Sequence, residues 1–128
     1  MSVFRYDSRH KVIVGISIIL ISATLFYLRD REKPKFENGQ SKQVGSQVDG
    51  RNHGTWIWYY PNGKKKIQGK FDHGEREGVW LTFSESGDTL IKATYHKDKL
   101  NGHYVVYNED SKPIQTLEYK DDRLVEKH

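Results

Sequence analysis

Four histidines, His53, His73, His96 and His103, and seven carboxylates, Asp72, Glu75, Glu77, Glu85, Asp98, Asp121 and Asp122, hold most of this chain's capacity for chemistry. Metal binding asks histidines for a short spacing such as H-x3-H, or for a cysteine partner. The separations offer neither, and the chain has no cysteine, so no metal ligand is assigned. The same absence removes disulfides, a cysteine nucleophile and a lipid-modified cysteine. The carboxylates fall mostly in segments that read as turns, where acids are solvated or bond their own backbone. A glycosidase-type pair needs a cleft between its members, and the sequence gives no sign of one. No G-x-x-x-x-G-K-[ST] phosphate cradle and no nucleophile elbow occurs. The chain therefore reads as a non-enzyme without catalytic residues or cofactor.

The aromatic residues carry a different potential. Trp56, Trp80 and Tyr104 stand 24 residues apart, with Trp58 beside the first. Trp and Tyr are the residue types most enriched at binding hot spots, so these four are the candidate binding residues. A second reading is structural: the same rings would pack over glycines of the adjacent strand. Lys64, Lys65 and Lys66, near Trp56, Trp58 and Tyr60, have the composition of a site for an anionic headgroup or a single-stranded nucleic acid. They also fit a solvated hairpin tip that discourages edge pairing. Charge decides between these. Residues 1–35 carry seven Lys/Arg against three acids, while residues 36–128 balance 14 against 14. The basic excess lies outside the repeated part, and no nucleic-acid partner is expected.

What positions these side chains is a repeat. Gly54, Gly78 and Gly102 share the 24-residue step with Tyr59, Phe83 and Tyr107, with Ile57, Leu81 and Val105, and with Phe71, Tyr95 and Tyr119. Gly39, Gly63 and Gly87 keep it too, and the register runs from about Phe36 to Leu124. Each unit reads as a hairpin. Its first strand is 55–60, 79–84 or 103–108, rich in β-branched and aromatic residues. Asn62-Gly63 supplies the strongest short-range hairpin signal, two residues that tolerate positive φ. The second strand is 66–71, 90–95 or 114–119, and a connector such as Asp72–Gly78 returns the chain. Alternation places Ile57, Leu81 and Val105 on one face with Tyr59, Phe83 and Tyr107. Trp56, Trp80 and Tyr104 fall on the other. One hairpin cannot bury its own face, so units must stack, with Phe71, Tyr95 and Tyr119 in one row.

This pattern resembles the MORN repeat, and more closely its bacterial variant. The quoted core runs from Gly54 through Trp56, Tyr59, Tyr60 and Asn62 to Gly63-Lys64. The third unit departs from it, with Ser111 at the turn glycine and Asp98 at the glycine position of Gly50 and Gly74; looser turns are expected there. The resemblance implies an all-β, open antiparallel sheet of consecutive 24-residue hairpins, curved, over residues 36–128. It also implies protein contacts or membrane-proximal scaffolding, with an antitoxin-like role attached to some bacterial variants.

Ahead of the repeats, Val12–Leu28 contains no charged residue. Seventeen helical residues span roughly 26 Å, within the range of a membrane crossing. Arg9, Lys11, Arg29 and Arg31 bracket the stretch, with Phe4, Tyr6, Phe26 and Tyr27 near its ends, as an interfacial belt requires. A cleaved leader is the competing reading, but the apolar run continues past Ala23, where small residues would mark a cut. The expected plan is a basic tail over 1–11, a single transmembrane helix over 12–28, a spacer over 29–35, and the repeat domain, outside the cytoplasm. The expected function is a membrane-anchored module that binds a protein partner, with glycan or lipid-headgroup binding by the same aromatics as the rival.

Overall fold

The computed structural model describes residues 16–25 and 33–127. The chain divides between Lys33 and Pro34 into two units. In the first, residues 16–25 are helical and exposed throughout. Its polar residues cost the helix little: Ser22 Oγ donates to Ile19 O at 2.9 Å and Thr24 Oγ1 to Leu20 O at 2.7 Å. Among the described residues no helix is long and apolar enough to cross a membrane. Residues 12–15 and 26–28 of the expected span, the tail over 1–11 and most of the spacer lie outside the described residues.

The second unit is one eight-stranded antiparallel sheet in which every strand pairs with its sequence neighbours. The strands are β1 (Gln43–Val48), β2 (Arg51–Tyr59), β3 (Lys65–Asp72), β4 (Glu75–Phe83), β5 (Thr89–His96), β6 (Lys99–Tyr107), β7 (Pro113–Lys120) and β8 (Arg123–Lys127). Among the described residues of this unit there is no second layer. Burial is correspondingly thin, and the buried hydrophobic residues are Trp56 and Ala93, at 7% and 5% exposure.

Strands exceed their expected lengths because the connectors are shorter than expected. The stretch 72–78 is not a loop: Asp72 pairs with Glu75, and Glu75–Phe83 is already strand. Only His73 and Gly74 turn the chain, both at positive φ, 47° and 95°. Asp49-Gly50, Lys97-Asp98 and Asp121-Asp122 turn the same way, with φ between 48° and 73° at the outer pairs and 47° and 66° at the middle one. Two residues at positive φ suit the right-handed twist of the strands they join. At the opposite edge, Gly63 has φ 84° while Asn62 is not at positive φ. Asn62 acts through its side chain instead, Oδ1 accepting from Lys64 N at 2.9 Å. The tight two-residue turn thus sits at the connector, and the Asn-Gly tip is a longer loop closed by Tyr60 N donating to Lys64 O at 2.8 Å.

An aromatic face as the candidate interface

Pairing sets which side chains share a face, because directly opposed residues of antiparallel strands point the same way. Trp56 opposes Gly69, Trp80 opposes Ala93, and Tyr104 opposes Leu117. Phe71, Tyr95 and Tyr119 take equivalent places opposite Gly54, Gly78 and Gly102. One face therefore collects the tryptophans with the second-strand aromatics. Ile57, Leu81 and Val105 lie on the other, alternating with Gln68, Lys92 and Thr116.

On the first face the rings form a continuous chain. Trp56 and Trp58 have centroids 5.8 Å apart, and Trp58 and Trp80 also 5.8 Å. Phe71 meets Trp80 edge-on at 5.0 Å, and Trp80 meets Tyr95 at 6.0 Å. Such edge contacts suit the ring quadrupoles. Tyr104 and Tyr119 make a separate pair at 6.2 Å. Arg76 caps the Tyr95 end of the chain, its guanidinium carbon 4.1 Å from the Tyr95 centroid. Asp98 holds that guanidinium through Nε, and hydrogen bonding from Arg76 holds the Asp98 carboxyl below its ordinary range.

The four candidate residues do not occupy equivalent environments. A Cβ built on Gly45 would lie 2.1 Å from the Trp56 indole, and one on Gly69 would lie 2.1 Å from Trp80. Each indole lies flat on a glycine of the preceding strand. Each also donates to that strand, Trp56 Nε1 to Ser46 O at 2.9 Å and Trp80 Nε1 to Lys70 O at 3.2 Å. Tyr104, one period on, opposes Ala93 on that strand. Trp58 differs: its register position carries Thr82 and Val106 in the next units, so the repeat does not require a large ring there.

The lysine cluster is engaged within the sheet. Lys64 Nζ donates to Ser86 O at 2.6 Å, Lys65 Nζ to Gln68 Oε1 at 2.9 Å, and Lys66 Nζ lies 5.5 Å from the Tyr60 centroid. Concavities on the other face are shallow, one lined by Val44, Tyr59, Gln40, Ser41 and Gly63 beside the hairpin tips.

Glu85 lies in the tip between β4 and β5 and His103 within β6 opposite Glu118, while the other carboxylates and histidines spread along the connector edge. Glu77 accepts from His96 Nδ1 at 2.9 Å and from Lys97 N at 3.0 Å, and these bonds hold its carboxyl below the usual range. Asp122 Oδ1 accepts from Leu100 N at 2.7 Å. His53, Asp72 and His73 come together, with donor atoms within 4.8 Å of one another. Sequence spacing missed that cluster, since His53 and Asp72 are 19 apart and meet only across β2 and β3. The signal was the register: one step beyond Gly54↔Phe71 sets His53 opposite Asp72.

Residues 52–73, which cover most of β2, the tip and β3, match the family model of the MORN repeat variant. A search of the curated proteins found no match.

Proposed function

We propose that the sheet is an array of the MORN repeat variant from about Phe36 to Leu124, and that it works as a non-catalytic protein-binding module tethered to a membrane through residues 12–28. The match at residues 52–73 supports the first part, because the same residues recur one and two periods later. The observation that carries the binding reading is the ring chain Trp58–Phe71–Trp80–Tyr95 on one face of the described one-layer sheet, with Trp56 buried at its end. A face so rich in rigid rings, with Arg76 over the last of them, has the composition of a binding hot spot. Trp58 is the residue best placed for it, since the repeat itself tolerates Thr82 and Val106 there. The uncharged run 12–28 between basic flanks supports the tether. Three Lys/Arg precede it and four follow by Lys35, so the charge count does not set sidedness, and the placement of the repeat domain outside the cytoplasm rests on the short basic N-terminal tail.

The test uses the full chain, expressed in its source cell and recovered in mild detergent. One stoichiometric protein is expected with the wild type. Trp58→Thr, which imports the residue of the next unit, should lower its recovery or affinity by roughly 30-fold, the scale of a hot spot worth about 2 kcal/mol. Equal recovery with an unchanged fold would defeat the reading. Tryptophan fluorescence that shifts with oligosaccharide or anionic vesicles, and not with protein, would transfer the face to the glycan or headgroup rival. Deleting residues 12–28 should release the protein from carbonate-washed membranes.

A further inference from the structure

The cluster at the turn after β3 is the one place where the described residues converge on a ligand class that the aromatic face does not address. His53 lies on β2, Asp72 ends β3, and His73 begins the turn. Asp72 Oδ1 is 2.6 Å from His73 Nδ1 and 3.6 Å from His53 Nδ1. The two imidazole rings stand 4.7 Å apart, tilted by 61°. The main-chain N–H of His73 donates to His53 Nδ1 at 3.3 Å. That long bond and the His73–Asp72 bond occupy both Nδ1 atoms. An ion binding there takes the His53 lone pair from the His73 N–H and displaces the proton from His73 Nδ1, as cation binding to imidazole does.

From this geometry we infer that His53, Asp72 and His73 form a surface site for a borderline divalent cation of the zinc class. Two imidazole nitrogens and one carboxylate oxygen are a donor set such ions accept, whereas calcium and magnesium ask for oxygen. Ligands about 2.1 Å from a tetrahedral ion stand about 3.4 Å from one another. The three donors lie within 4.8 Å of one another and the nearest two are 2.6 Å apart, so the widest pair must close and the His73–Asp72 pair open, each by about 1 Å, in side chains that are half-exposed. Water completes the shell. The ion would tie β2 to the turn between β3 and β4 and stabilise the first complete repeat through its own binding.

The repeat provides an internal comparison. One period on, the three positions hold Glu77, His96 and Lys97; two periods on, they hold Asn101, Lys120 and Asp121. The second unit keeps a carboxylate–imidazole pair but replaces the third donor with a cation, and the third unit has no imidazole. The site therefore belongs to one unit, and the other two supply substitutions that the same backbone already carries. His73 and Lys97 both have φ 47°, so His73→Lys suits the turn, and His53→Asn imports Asn101.

The experiment is a calorimetric titration of Zn2+ into the full-length, untagged chain in mild detergent after chelator treatment. The wild type is expected to take up one zinc per chain, reversed by chelator. His73→Lys and His53→Asn should each bind at least tenfold more weakly with unchanged circular dichroism, and His96→Gln should bind as the wild type does. The inference is overturned if the wild type shows no saturable uptake. It is equally overturned if either variant binds as tightly as the wild type, or if His96→Gln causes the same loss.

Discussion

At the scale of single residues, the tryptophans are fixed by what lies under them. The pairs Gly45–Trp56, Gly69–Trp80 and Ala93–Tyr104 occupy equivalent places one period apart. The larger ring goes with no side chain beneath it, and the smaller ring with a methyl. Gly69 is not at positive φ, so Gly69→Ala meets no backbone penalty and its effect comes from the ring alone. The added methyl would sit 2.1 Å from Trp80 and force the indole off the strand. A loss of about 1–3 kcal/mol is expected in denaturant unfolding, the range for an overpacked site. Gly69→Ala with Trp80→Tyr rebuilds the Ala93–Tyr104 arrangement and should recover about 1 kcal/mol relative to the sum of the single changes. Strict additivity of the three measurements would show that ring and glycine do not touch in solution. The ion pair beneath Tyr95 gives a pH test. Arg76 holds the Asp98 carboxyl below its ordinary value, so the folded state keeps a charge that the unfolded chain loses near pH 3.9. Its contribution is complete above that value and disappears as pH falls through the depressed one. Asp98→Asn should flatten the loss of stability as pH falls below about 3.9, by less than about 1 kcal/mol because the pair is exposed and screened. Identical pH profiles for the two proteins would remove Arg76–Asp98 from the account.

Among the elements, the turns show what could be read from the sequence and what could not. Strand positions, their facing and the 24-residue step follow from residue spacing alone, because alternation and repetition are local. Turn type does not, since it depends on which pair of residues carries positive φ. Asn62-Gly63 has the stronger hairpin composition, yet His73-Gly74, Lys97-Asp98 and Asp121-Asp122 carry the two-residue turns. The third unit's tip was expected to be loose, with Ser111 for glycine. It is closed like the others: Ser111 N donates to Asn108 O at 3.0 Å, as Gly87 N does to Ser84 O at 3.0 Å. Serine holds φ 58° there, a region that disfavours a Cβ by about 1 kcal/mol. Ser111→Gly should therefore raise stability by a few tenths to about 1 kcal/mol, with the tip unchanged. A fall in the unfolding midpoint would mean that the serine side chain supports the loop in a way its backbone does not reveal.

For the sheet as a whole, each strand forms its hydrogen-bond ladders only with its sequence neighbours, and rings such as Trp58 and Trp80 reach across one strand, so stability is a sum of hairpins and the seams between them. The sequence announced the period but not the consequence at the connector edge, where His53, Asp72 and His73 meet only once the register is known. If the period is the true unit of construction, one period can be removed from turn to turn. Deleting residues 74–97 joins His73 to Asp98, two positions at φ 47° and 66°, and brings β6 against β3. Tyr104 then lies where Trp80 lay, over Gly69, with a smaller ring and a shallow gap beneath it. The resulting six-stranded sheet should keep its strand signature in circular dichroism and unfold at a lower midpoint, one hairpin and two rings of the row poorer. Deleting residues 74–96 instead leaves one extra residue, and a slip of one sends every side chain of β6 to β8 to the opposite face. Tyr104 would leave the ring row and Val105 would enter it, so this variant should lose cooperative unfolding. Comparable midpoints for the two deletions would mean that the sheet tolerates inversion of its faces, and the aromatic row would then have no claim to organise either the fold or the binding surface.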